Sequence, residues 1–251
     1  MGNQSGKYYP PVKEATDAER IGMVKDIFKT IIPRYDFLNH FLSFRRDIAW
    51  RRFAVRRMHF FRTNRFLDVA CGTGDLGIGA ATHHPHASVV GLDFVKEMAD
   101  TAARKVKEQG ISSRVVFVNG DATALPFADN SFDVAGIAFG IRNIPDRMSA
   151  LREMMRVIVP GGQVMVLEIT PPRGVIVKGL YHFYLNRILP RLARAFTSNP
   201  SAYLYLADSV MNFPSPEKFK TLMEEAGLTA VQKHALTLGV TYLHMGIKPG
   251  L

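Results

Sequence analysis

The chain has 251 residues, 47% of them apolar, and its 32 Lys and Arg against 22 Asp and Glu leave a formal charge of +10. That length suits one domain, or one with appendages. With 22% charged residues and no apolar run of about 18, it is neither a disordered polar chain nor a membrane-spanning one. Residues 1–17 read as a flexible lead, and Met1 to Pro11 contain no apolar stretch of the kind a secretory signal needs, so export is not expected. From Arg20 to Phe60, Ile21, Val24, Ile27, Phe28 and Ile31 recur at helical spacing until Pro33, and a second helix is expected around Asp47–Met58. Short apolar runs then alternate with amphipathic stretches. Arg65–Ala70, Ser88–Leu92, Arg114–Val118, Asp133–Ala138 and Gln163–Glu168 read as buried strands, with helices over Asp75–His83, Val95–Gln109 and Arg147–Ile158. Strand and helix in alternation signal an α/β fold, a doubly wound, Rossmann-like parallel sheet. Pro160-Gly161-Gly162 reads as the turn into the fifth strand, the Gly pair ending the preceding helix. Leu228–Leu236, Gly239 and Val240–Ile247 read as a terminal hairpin. The expected organisation is a lead and helical cap over 1–60 and an α/β domain over 61–251, with an insertion at about 172–213.

The positive charge is localised. Arg20–Arg65 carries 12 bases and three acids, and Arg173–Arg194 five bases and no acid, so the remainder, the glycine-rich region included, is net acidic. A cationic face of this kind meets anionic lipid or nucleic acid, or is simply a solvated helical face. The single cysteine, Cys71, excludes an internal disulfide and a multi-thiolate metal site and fits a reducing cytoplasm. It reads as a small packing residue.

The first strand runs into Gly72-Thr73-Gly74-Asp75-Leu76-Gly77, a literal match to the dinucleotide fingerprint that is weak when taken alone. Asp68 precedes the loop and Asp75 follows it. At ~6 Å and an effective dielectric of ~20, each carboxylate would cost a facing phosphate charge roughly 3 kcal/mol. A cationic cofactor without phosphate, S-adenosylmethionine (SAM), suits the loop better. Asp93, with Phe94 beside it, closes the second strand where an acid accepts both ribose hydroxyls. Asp121 and Ala122, after the third strand, fall at the adenine edge. Each acid also has an ordinary structural reading, Asp75 as a helix cap and Asp121 as a turn residue.

These residues resemble a known family, the SAM-dependent C-methyltransferases of quinone biosynthesis (UbiE/MenG; demethylmenaquinone and polyprenyl-benzoquinol methylases). The resemblance is carried nearly end to end by Tyr35-Asp36-Phe37-Leu38-Asn39 with Ser43 and Trp50, by Gly72-Thr73-Gly74-Asp75 and by Ala124-Leu125-Pro126-Phe127. It continues through Phe139-Gly140-Ile141-Arg142-Asn143, Arg156-Val157 to Pro160-Gly161-Gly162, and Leu167-Glu168. Asp47 stands where the family usually has His, and Met211 and Met245 stand where Arg is common. The resemblance implies a seven-stranded class I methyltransferase sheet with an antiparallel last strand, SAM held by Asp68, Gly72, Thr73, Gly74, Asp93, Phe94, Asp121, Ala122 and Ala138, and a prenylated quinol as acceptor.

Methylation at a ring carbon needs an electron-rich ring, and a phenol pKa near ~10 means that losing its proton at neutral pH requires help. Arg142 stays protonated, so its expected part is to stabilise the phenolate or hold a relay water. Asn143 would bond the second quinol oxygen, and Tyr35 would orient the ring or cover the cofactor. His244 is a candidate proton acceptor or a core histidine, and a plainer reading of Arg142 is a loop arginine paired with Asp146. No metal is expected, since no His/Asp/Glu cluster has ligand spacing. Gly174–Phe196 interleaves apolar residues with Lys178, Arg187, Arg191 and Arg194, which suits a membrane interface, a wall for a prenyl tail or a plain cover helix. Another aromatic acceptor, an RNA acceptor and a non-catalytic scaffold remain as alternative functions. A homodimer or a biosynthetic complex is a possible assembly, and peripheral attachment of a cytoplasmic protein to the membrane a possible location.

Overall fold

The structure, a computed structural model, describes residues 9–12, 14–32, 35–171, 179, 187 and 201–250. Most of the expected insertion Gly174–Phe196 therefore lies outside the described residues. Three helices come first, α1 (Asp17–Ile31), α2 (Tyr35–Leu42) and α3 (Arg46–Val55). Then follow β1 (Arg65–Val69), α4 (Asp75–His83), β2 (Ser88–Asp93), α5 (Lys96–Glu108), β3 (Val115–Asn119) and β4 (Phe132–Ala138). A single 3₁₀ turn at Ile141–Asn143 leads to α6 (Arg147–Val157) and β5 (Ile158–Ile169). The chain ends with α7 (Ser201–Met211), α8 (Pro216–Glu225), β6 (Thr229–Leu236) and β7 (Thr241–Ile247).

The seven strands are ordered β3-β2-β1-β4-β5-β7-β6, and only β7 runs antiparallel to its neighbours. Both faces are covered, which is why the strands read as near-continuous apolar runs. Leu67, Val69, Ala135, Ile137, Val164 and Val166 face one side with α6 and α8. Phe66, Val134, Met165 and Leu167 face the other with Trp50 and Ala54 of α3 and Leu76 of α4. Fully burying each such Phe or Leu is worth about 1.5–3 kcal/mol.

Helix ends follow their chemistry. Thr16 and Glu19 form a reciprocal capping box on α1, Asp146 accepts from Ser149 N–H at the start of α6, and Ser215 followed by Pro216 opens α8. Two expectations need correction. Pro160-Gly161-Gly162 is a bulge inside β5, since α6 gives way directly to strand at Ile158 and pairing with β4 slips between Phe132/Ile158 and Val134/Gln163. A side chain at Gly162 would lie 2.7 Å from the Asp133 carbonyl oxygen, so a glycine is needed there. The N-terminal region also holds a separate α2, between the two helices that the sequence pattern predicts.

Asp133, fully buried at the start of β4, accepts backbone N–H bonds from Phe61, Arg62, Thr63 and Asn64 at 2.8–3.2 Å. It satisfies the whole turn that feeds β1. Asp133→Ala should remove the acceptor that gathers these four part-buried bonds, lowering unfolding free energy in urea by on the order of 2 kcal/mol without abolishing cofactor binding in the fraction that folds.

Candidate functional site

Strand order reverses between β1 and β4, and the crevice at their C-terminal ends is where an open α/β sheet binds ligands. A cavity of about 240 Å³ lies there. It is built on the loop after β1, where Gly72 (φ 57°) and Gly74 (φ 84°) both adopt left-handed backbone. At Gly74 a β-carbon would lie 2.8 Å from the Phe117 ring, and at Gly72 it would touch the Tyr35 ring at 3.7 Å. The loop is thus pressed between the sheet and α2.

Asp68, Gly72, Thr73, Phe94, Asp93, Asp121, Ala122 and Ala138 all line this cavity. Its described lining holds six carboxylates, of Asp17, Asp68, Asp75, Asp93, Asp121 and Asp146, against the one guanidinium of Arg51. Asp93 Oδ2 accepts from Gly72 N–H (2.7 Å) and Oδ1 from Val95 N–H (2.8 Å), so the second strand and the glycine loop fix its two oxygens. Burial pushes its pKa up. Asp68 Oδ2 accepts from Gly77 N–H (2.8 Å), and burial pushes its carboxyl up to about 7.

Some expected contacts are spent differently. Asp75 faces the cavity but is bound by Lys105 Nζ at 2.6 Å, and Gly74, not Asp75, is the N-cap of α4. Thr73 turns its hydroxyl to Asp36 of α2. Asp121 Oδ1 accepts from Thr123 N–H and Oγ–H, both 2.8 Å, the turn role that short acids favour. Phe94 is partly exposed, with Lys25 Nζ 5.2 Å from its ring centre.

A second cavity of about 110 Å³ abuts the first and shares Tyr35, Arg51 and Phe139 with it. Asn39, Ser43, Asp47, Trp50, Arg142 and Val210 complete much of its wall. Arg142 is 6% exposed and is not paired with Asp146. Its Nη1 donates to Glu168 Oε1 and to the Phe139 carbonyl, both at 2.6 Å. Burial disfavours its charge, but Glu168 offsets this and leaves the guanidinium pKa raised. Asn143 lines the first cavity, and its Oδ1 accepts from the Tyr205 hydroxyl at 3.2 Å. Tyr35 stands between the cavities, its pKa raised by burial against the lowering pull of Arg51 and Arg142.

His244 reaches neither cavity. It is fully buried, with Nε2 2.9 Å from the Pro216 carbonyl, so the proton-acceptor expectation gives way to the core-histidine one. Of the three positions that depart from the family pattern, only Asp47 lines the second cavity. It is bonded to Arg51 (2.6 Å), Ser43 (2.6 Å) and His40 (2.7 Å). His40, Asp47 and Asp75 bring one donor atom each within 4.8 Å, but Arg51 is also 3.8 Å from Asp75 and supplies the cationic charge there. The sequence reading missed Arg51, and it named Glu168 only within the resemblance, without a role. The i,i+4 spacing of Asp47 and Arg51 on one helix was the available signal for the first.

A model of the ubiE/COQ5 methyltransferase family matches residues 13–248. The chain belongs to this family. A Geotalea daltonii protein named ubiquinone/menaquinone biosynthesis C-methyltransferase UbiE is 46% identical over 226 residues, 90% of this chain and 96% of the relative. A Thermus thermophilus protein named demethylmenaquinone methyltransferase is 44% identical over 223 residues, 89% of this chain and all of the relative. Among solved structures, the putative methyltransferase bound to the Haloferax volcanii Trm112 activator superposes with a TM-score of 0.61 at 15% identity, covering 88% of this chain and 98% of that one. A Haemonchus contortus phosphoethanolamine N-methyltransferase in complex with S-adenosyl-L-methionine gives 0.59 at 15%, covering 79% and 52%. These share the fold, that of a class I SAM-dependent methyltransferase, and the enzyme is a C-methyltransferase of that class.

Because burial holds His244 neutral, with a pKa of about 4 against about 6.5 unfolded, its contribution to this methyltransferase's stability is present above pH 6.5 and lost as pH falls toward 4. About 3 kcal/mol of the acid-side slope belongs to this residue by that difference. His244→Gln keeps an N–H donor for Pro216, and urea unfolding between pH 4 and 7 should show a shallower pH dependence in that variant.

Proposed function

We infer that this methyltransferase transfers a methyl group from SAM to a ring carbon of a prenylated quinol. The observation that carries the reading is the pair of abutting cavities with different linings, one rich in carboxylates and the other walled by aromatic and aliphatic side chains around Arg142. The names carried by the Geotalea and Thermus relatives support a quinone-pathway acceptor.

The first cavity fits SAM by its donor set. The left-handed backbone of Gly72 lets a ligand approach the main chain, and the surplus of carboxylates favours an ammonium and a sulfonium over a pyrophosphate. When bound, SAM supplies a methyl group already activated on a sulfonium. Asp93 would take the ribose hydroxyls on the outer lone pairs of its two anchored oxygens. Asp121 and Ala122 would meet the adenine edge, with Phe94 beside it, and Asp68, Gly72, Thr73 and Ala138 would hold the amino-acid end, while Gly74, which is outside the cavity wall and packs toward Phe117, would shape the loop rather than touch the cofactor.

In the second cavity Arg142 stabilises phenolate rather than acting as a base. Its guanidinium is fixed by Glu168 and Phe139, so little reorganisation is needed when charge develops on the quinol oxygen. Arg142 and Arg51 both pull the pKa of Tyr35 down against burial, and a quinol hydroxyl in the adjoining space would feel the same field. Asn143, on the first-cavity side with its Oδ1 held by Tyr205, would offer its amide donor to the second quinol oxygen where the two cavities meet. Tyr35 orients the ring and shuts water out of the junction between the cavities.

The deciding experiment incubates the enzyme with labelled SAM and a panel of reduced, demethylated quinols, the product identified by mass; transfer only to non-quinol acceptors would remove the reading. Arg142→Ala should lower kcat by at least about 100-fold while SAM affinity by calorimetry stays within about tenfold, the pattern of a lost transition-state contact. Asp93→Ala should instead weaken SAM binding by roughly tenfold or more. Since cation binding favours the ionised form of a carboxyl poised near 7, SAM affinity should rise between pH 6 and 7.5 with proton release detectable by calorimetry in buffers of different ionisation heat. Asp68→Asn should flatten that dependence.

A further inference from the structure

Two bulky apolar side chains project from turns beside the second cavity. Phe44 is 80% and Leu238 87% exposed, and both hold left-handed backbone (φ 52° and 55°) that disfavours large L-residues. The turns are joined. Trp50 Nε1 donates to Thr237 Oγ1 at 2.9 Å, tying the residue before Leu238 to α3, which begins two residues after Phe44. Ser43, Trp50 and Val240, which flank these tips, all line the cavity. Along α2 the apolar rim continues through Phe37 and Phe41, stacked on each other at 5.9 Å and both exposed.

The charge beside the tips has one sign. Arg45, Arg46, Arg52 and Arg56 are exposed on the same turn and helix, while the only acid between 43 and 57, Asp47, is buried in the cavity wall. We propose that this rim is a membrane-docking surface, on which Phe44 and Leu238 enter the interfacial layer of an anionic phospholipid bilayer and the four arginines face its headgroups. The proposal rests on the quinol reading, because a prenylated acceptor is dissolved in a bilayer and its ring must be drawn from there into the cavity. Separate apolar tips set among cations match a lipid interface, where apolar insertion and headgroup attraction add. A nucleic acid would use the arginines but gain nothing from an exposed leucine tip.

Co-sedimentation with extruded vesicles tests it, using phosphatidylcholine alone and phosphatidylcholine with about one third phosphatidylglycerol. The enzyme should bind the anionic vesicles at least about tenfold more tightly than the neutral ones, less so as salt rises. The double variant Phe44→Ser, Leu238→Ser should lose at least about tenfold of that affinity. It should turn over a short-tailed, water-soluble quinol like the parent enzyme while slowing on a long-tailed quinol embedded in vesicles. Arg45→Gln with Arg46→Gln should reduce the preference for anionic vesicles and its salt dependence. Equal vesicle binding by the parent and the Phe44/Leu238 variant overturns the proposal, as does salt-sensitive retention on RNA with no vesicle binding. Should the parent methylate neither quinol, the acceptor reading falls, and vesicle binding still decides the docking surface on its own.

Discussion

Glu168, near the end of β5, is the carboxylate on which the architecture of the two cavities depends. One oxygen holds the Arg142 guanidinium at 2.6 Å and the other receives the Arg142 N–H at 3.2 Å, so both the side chain and the backbone of the loop after β4 are fixed to the sheet. A buried ion pair is costly to assemble, and removing one partner would strand the other charge in a medium that solvates it poorly. The Arg142 carbonyl in turn accepts from Arg20 of α1 and from Arg147 at the start of α6. Asn143 next door is held by Tyr205 of α7. Sheet, N-terminal helix and C-terminal helix thus converge on two consecutive loop residues, of which Arg142 lines the second cavity and Asn143 the first.

A second network fixes the opposite side of the junction. Thr73 bonds Asp36, Lys105 binds both Asp36 and Asp75, and Arg51 lies between Asp75 and Asp47. Alternating signs let five charged groups from α2, α3, α4 and α5 share a partly buried space that no isolated pair would favour. The glycine loop is therefore bound to α2 through side chains as well as through the contact of Gly72 with Tyr35. Movement of α2 and movement of the loop are mechanically linked, which makes the N-terminal helices part of the site rather than a separate cover.

The central sheet was legible in the sequence because a strand buried on both faces leaves a continuous apolar run, as β1, β2 and β4 do, while the edge strand β6 was legible only as half of a hairpin. Much of the first cavity's wall was legible for a related reason: its residues cluster at strand ends within short, patterned segments. What pattern could not supply was pairing across long separations. Arg142 and Glu168 are 26 residues apart and Asn143 and Tyr205 62 apart, and local reasoning gave Arg142 the nearer acid, Asp146, which the start of α6 already uses as its cap. Pro160-Gly161-Gly162 has the composition of a turn, but a β-bulge needs the same residue types, and only the slipped pairing with β4 distinguishes them. His244 carries no local mark of its environment. Its burial between β5 and the Pro216 carbonyl is a property of the assembled sheet.

The second cavity could not be read from any window, since its wall runs from Tyr35 to Val240. Its chemistry becomes intelligible only beside the first. Methyl transfer joins a cationic donor to an acceptor that becomes anionic, and each partner is stabilised by the charge it lacks. A single pocket lined by both signs would let those side chains neutralise one another, as Arg51 and Asp47 do at the boundary. Gathering the carboxylates in one cavity and Arg142 in the other limits this, provided that the wall between them is thin enough for reacting atoms to meet. Tyr35 and Phe139 meet that requirement, being planar, shared by both chambers and free of formal charge. Arg51, the one charged residue that both described linings share, is paired with Asp47 at 2.6 Å and lies 3.8 Å from Asp75, so its charge is largely offset at the junction.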